Sequence, residues 1–134
     1  FENEIHIEFA DIKKYKKIYF ILLDNEDRSL KLDIKVLKFK KEILKSRISN
    51  NELTLELLNG NGLIKFIENH NNFDAVYPSI GENFLFLKRL IKKNDLKVNF
   101  ITRKEDEYCW KFSNKGYFNF KSNIPKILST FKLN

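Results

Sequence analysis

YCWKFSNKGYFNFK, Tyr108 to Lys121, is the stretch on which the reading of the fold turns. At its centre Ser113-Asn114-Lys115-Gly116 matches a type I turn followed by a glycine in the left-handed position, with alternating aromatic residues on both flanks. A hairpin in that register sets Phe112 opposite Phe118 and Trp110 opposite Phe120. Tyr108, Trp110, Phe112, Phe118 and Phe120 then share one face, and Cys109, Lys111, Ser113, Tyr117, Asn119 and Lys121 the other. Five aromatic residues on one side suit burial beneath a helix. Ser122 or Asn123 can cap such a helix, with Pro125 near its start and Ile124, Ile127, Leu128 and Phe131 along it. The outer face of the hairpin, Lys111, Tyr117, Asn119 and Lys121, with Lys115 in the turn and Arg103 upstream, becomes the candidate binding surface.

Working back from the hairpin, Leu96, Val98 and Phe100 alternate as a strand does, and Glu82 to Lys93 places Phe84, Leu87 and Ile91 along one helical stripe. A loop holding Pro78 and Gly81 precedes that helix. Leu63, Ile64, Phe66 and Ile67 have helical spacing, which predicts a short helix ending near His70. Asn59-Gly60-Asn61-Gly62 before it either closes a hairpin or starts the helix. Leu53, Leu55 and Leu57 alternate. Leu37, Lys40, Leu44 and Ile48 suit a helix, although Phe39 extends the preceding alternation of Leu30, Leu32, Ile34 and Val36, which reads as a half-buried strand. Ile18 to Leu23 is an unbroken apolar run of the kind a central strand covered on both faces shows. Ile5, Ile7 and Phe9 alternate against Glu4, His6 and Glu8. The first three strands form a meander in this reading.

The expectation is therefore one α+β domain over residues 1–134. Its sheet is largely antiparallel, two to four helices pack mainly on one side, and the C-terminal β-hairpin is followed by a short helix. A chain of 134 residues with 13 Phe and 43% hydrophobic residues can bury a core without staples. The single cysteine, Cys109, excludes an internal disulfide and points to a reducing, cytoplasmic setting. No apolar run approaches the roughly twenty residues of a membrane helix, so no membrane partner is expected. The absence of Met implies a trimmed or processed start at Phe1, and a chain that is a piece of a longer protein.

The net charge of +7 concentrates at one end: residues 91–134 carry 10 basic and 4 acidic groups. Clustered cations attract phosphates. Yet lysine outnumbers arginine 21 to 4, and 16 Asn stand against two Ala, a skew that A- and T-rich codons also produce.

Catalytic constellations do not rise above chance. An acid two positions before a lysine occurs three times, at Asp11 and Lys13, Asp33 and Lys35, and Asp95 and Lys97, with Asp24 or Asp74 as conceivable partner carboxylates for a metal. About three such spacings arise at random in this composition. Glu4, His6 and Glu8 would share one strand face, but lack a further His or Cys nearby. His70 reads as a helix-terminal residue and Cys109 as an inert thiol. Neither a catalytic residue, a metal site nor a cofactor is assigned, and the balance leans against an enzyme. The sequence favours a noncatalytic protein-binding module, such as a small immunity-type or inhibitor-type neutraliser of a toxin or enzyme. Its alternative is a binder of single-stranded RNA or DNA through the basic, aromatic C-terminal third. A metal-dependent nuclease ranks last. Oligomeric state is left open.

Overall fold

A computed structural model describes residues 1–2, 14–49 and 55–132, and its contacts divide the chain into two compact units, Phe1–Ile101 and Thr102–Asn134. Among the described residues of the first unit, strand β1, Ile18–Ile21, is followed by a 3-10 turn, Asn25–Asp27, and helix α1, Ile34–Ser49. Strand β2, Leu55–Leu58, pairs with β1 in parallel, Ile18 facing Leu55 and Ile21 facing Leu58. Helix α2, Gly60–Asn69, leads to strand β3, Asn72–Val76. Helix α3, Glu82–Asn94, then crosses to strand β4, Lys97–Ile101, which pairs with β3 in parallel.

The alternation of β1 divides its side chains between two helical layers. Ile21 and Leu23 join Leu63 and Ile67 of α2 and Phe86 and Leu90 of α3 in one buried cluster. Phe20 and Leu22 join Leu44 of α1 and Leu55 of β2 in the other. Strand β1 takes the first four residues of the apolar run, and Phe20 and Ile21 are buried in different clusters on its two sides.

Local chemistry explains the helix boundaries. Asn59 caps α2 by accepting the Gly62 amide at 2.8 Å. At Gly60 a Cβ would lie 2.0 Å from an Asp27 carboxylate oxygen, so glycine permits that close approach. Gly81 opens α3 at φ +148°, a conformation side chains strain to adopt. Asp33 accepts the Lys35 amide at 2.7 Å at the start of α1. Its carbonyl accepts from Leu37 at 3.1 Å.

These elements overturn the antiparallel reading: the described strands form two two-stranded parallel sheets, and the described residues hold five helices. No meander forms. The alternation from Leu30 to Val36 gives way to α1, because Leu37, Leu44 and Ile48 meet the sheet while Leu30 and Ile34 stay 75% and 78% exposed. Strand β3, from Asn72 to Val76, replaces the first part of a predicted loop. The predicted strand at residues 5–9 lies outside the described residues.

The second unit is a helical pair rather than a hairpin and a helix. Helix α4, Lys104–Ser113, and helix α5, Tyr117–Phe131, join through a turn whose Gly116 takes φ +83°. The turn falls where its sequence places it, but it connects helices. Glu105, Asp106 and Glu107 complement the positive end of α4 and Lys111 its last turn. Tyr108 and Phe112, the latter opposite Phe118 in the hairpin reading, meet edge-on one helical turn apart at 5.4 Å. Pro125 sits inside α5, not near its start, and Ser122 and Asn123 donate back to the Asn119 carbonyl instead of capping. No helix among the described residues is long and apolar enough to cross a membrane.

Candidate binding surface

The residues predicted to form one hairpin face are distributed around the helical pair. Lys111 ends α4 with its ammonium 5.5 Å from the Tyr108 ring centre, Lys115 is exposed in the turn, and Tyr117 opens α5. Lys121 lies one turn beyond Tyr117 on the same side of α5. Asn119 is turned toward α4, where its amide donates to the Phe112 carbonyl at 2.8 Å. Arg103 precedes α4 with its Nε 3.8 Å from Asp106. The helices therefore gather Tyr117 and Lys121 and separate Asn119 and Arg103 from them.

Around Tyr108 the pair closes its own core: Phe131 meets that ring edge-on at 5.4 Å, and Ile127 is buried. A different stripe of α5 stays outside. Tyr117, Ile124 and Leu128 are 68%, 37% and 42% exposed, with Lys121 completing a spacing of four, three and four residues. That is the repeat of a seam that receives another helix. Phe118, at its edge, is 83% exposed. Ile124 and Leu128 escape a sequence reading that begins the helix near Pro125 and assigns both residues to the core; their heptad spacing from Tyr117 is the signal that finds them. Across Tyr117–Phe131 the charged residues are Lys121 and Lys126, both cationic.

The first unit holds a cavity of about 590 Å³ between β1 and β3. Residues Lys17 to Ile21 line one side of it and Asn72 to Val76 the other, with Leu63, Phe66 and Leu87 contributing apolar side chains. In its lining the Tyr15 hydroxyl donates to Asp74, which also accepts from the Asn99 amide at 3.1 Å and lies 3.9 Å from the Lys14 ammonium. These donors hold the Asp74 carboxyl below its ordinary pKa, the Tyr15 bond first among them. Partial burial, then the bond to Asp74, pushes the Tyr15 phenol up. His70 stacks on Phe66 at 4.3 Å and its Nδ1 lies 2.9 Å from the Phe66 carbonyl oxygen.

The acid and lysine spacings lead to separate structural duties. Asp33 supports the start of α1, Asp95 takes a left-handed conformation closing α3, and Asp24 accepts from the Asn59 side chain at 2.8 Å. Asp11, Lys13 and the Glu4, His6 and Glu8 trio lie outside the described residues. Among the described residues no three His, Cys, Asp or Glu side chains gather as metal ligands. Cys109 is half-buried on α4. Comparison of the chain with protein-family models, curated proteins and solved structures finds no match.

Proposed function

We propose that the chain is a noncatalytic protein-binding module whose α5 receives an acidic amphipathic helix of another protein. The observation that carries this is the exposed seam of Tyr117, Lys121, Ile124 and Leu128. Apolar anchors at that spacing fit the apolar stripe of a second helix, and the cations of α5 select a partner with acidic flanks. Two copies of α5 would bring like charges together, which disfavours self-pairing.

Fluorescence anisotropy with two labelled amphipathic peptides, matched in apolar pattern and flanked by Glu or by Lys, tests the assignment. The Glu-flanked peptide binds the full chain, Ile124→Glu or Leu128→Glu weakens it tenfold or more, and Lys121→Glu reduces the preference for acidic flanks. Equal binding of both peptides overturns the charge argument. Binding confined to anionic vesicles assigns the seam to lipid instead, and concentration-dependent dimerisation in sedimentation assigns it to a second copy.

Single-stranded nucleic acid is the second reading, favoured by the same cationic α5. Its aromatic residues lie on two helices rather than on a stacking sheet, which leaves charge as its main support. Labelled single-stranded RNA across a salt series distinguishes it: binding that persists at physiological salt and falls on Lys111→Ala or Lys121→Ala would displace the protein partner.

A further inference from the structure

In the first unit the amide of Ser29 donates to the Glu82 carboxylate at 2.9 Å, which ties the segment before α1 to the first turn of α3. That segment is held again at Leu32, whose amide donates to the Asn25 side chain at 2.8 Å and whose carbonyl accepts from it at 2.9 Å. Beside these bonds stand aliphatic side chains that the core does not take. Leu30 and Ile34 are exposed on one stretch, and Ile80, at 89%, and Leu85 on the other. Leu85 follows Glu82 by three residues and so shares its side of α3. A segment fixed by three hydrogen bonds holds Leu30 outside by design of the backbone. Large aliphatic side chains gathered outside a core mark a surface that meets another apolar phase.

Positive charge surrounds these side chains. Residues 30–38 and 80–93 carry seven basic side chains and two acidic ones. Lys31, Lys35, Lys88 and Arg89 are exposed, whereas the carboxylates of Glu82 and Asp33 accept from the backbone amides of Ser29 and Lys35. We infer that this rim binds the surface of an anionic bilayer: Leu30, Ile34, Ile80 and Leu85 enter the acyl boundary while the cations meet the headgroups. Side chains as exposed as Ile80 and Leu30 project singly. A protein partner must supply a matched hollow for each, but fluid acyl chains conform to any such shape. The long stems of lysine and arginine let their charges stay among the headgroups while the aliphatic tips go deeper. The contact needs no spanning segment. It is separate from the α5 seam, which belongs to the second unit, and stands or falls independently of it.

Cosedimentation of the full chain with vesicles of phosphatidylcholine, alone or mixed in equal parts with phosphatidylserine, tests the inference. The mixed vesicles retain the chain tenfold or more better than phosphatidylcholine alone. Leu30→Asn combined with Ile80→Asn, both at exposed positions, lowers that retention tenfold or more, and Leu128→Glu in the α5 seam leaves it unchanged. Depth is read by fluorescence: Trp110 is the chain's one tryptophan, so Ile80→Trp placed in a Trp110→Phe chain reports from the rim, and brominated acyl chains quench it. Failure of the mixed vesicles to retain the chain overturns the inference. Retention insensitive to the double substitution, or an unquenched Ile80→Trp indole, also overturns it, because charge alone would then hold the chain. Retention lost on Leu128→Glu gives the vesicles to the seam instead. Dimerisation without vesicles that Ile80→Asn abolishes gives the rim to a second copy and likewise overturns the inference.

Discussion

At the scale of single residues, the contact between Tyr15 and Asp74 has the clearest consequence. A carboxyl whose pKa is lower in the folded chain than in the unfolded one adds stability above the ordinary carboxylate range, and that contribution disappears as pH falls through the folded value. The raised Tyr15 pKa works in the opposite direction. Its contribution is complete below the ordinary phenol range and is lost as pH rises through the folded value. The bond is therefore strongest on the broad plateau between the two. Tyr15→Phe removes the larger donor, so the Asp74 carboxyl should move up toward its ordinary pKa, and carbon-detected NMR titration of that carboxyl reads the shift. An unchanged titration would assign the depression to Asn99 and Lys14. The bond from Asn99 was not legible in the sequence, because it requires β3 and β4 to lie side by side in register, with Asp74 facing Asn99.

At the scale of elements, Pro125 is the residue whose helix is least favourable to it. It lies well inside α5, where it lacks the amide that would donate to the Lys121 carbonyl, and its ring crowds that turn. Pro125→Ala should stabilise the chain by about 1–3 kcal/mol and raise its helical circular dichroism. A loss of stability would show that the proline supplies packing that Ala cannot replace. The same segment explains where sequence reading succeeds and fails. The turn at Gly116, with its positive φ, was legible as a local property of a few residues, whereas the cap placed at Ser122 or Asn123 was not a cap, and Asn59 was left between a hairpin turn and the helix start it makes. The hairpin reading failed because Tyr108 and Phe112, four residues apart, satisfy a helical period as well as an alternating one. Burial of Ile127 and the Tyr108–Phe131 contact favour the helix. Strand β3 was missed for a related reason: Asn72 and Asp74 carry weak strand propensity, and pairing with β4 supplies what composition does not. The α5 seam became visible once Tyr117, rather than a residue near Pro125, marked the helix start.

At the scale of the whole molecule, the two core clusters lie on opposite sides of β1. Ile21 belongs to the layer formed with α2 and α3, and Leu44 to the layer formed with α1. Ile21→Val should cost about 1 kcal/mol and Leu44→Ala about 2–5 kcal/mol. Their sum should reproduce the double variant within about 0.5 kcal/mol in urea unfolding, because the side chains share no cluster. A larger deviation would mean that the strand transmits a packing change from one layer to the other.

The parallel ladders have a further consequence for how this chain reaches its folded state. Each pairs strands adjacent along the chain, with one helix between them: α1 between β1 and β2, α3 between β3 and β4. Loop-closure entropy for each ladder is then set by one crossover rather than by the length of the unit, and neither ladder waits for the other to form. The apolar cluster in which Ile21, Leu63 and Phe86 meet then joins the two halves, so that opening one half costs packing in the other.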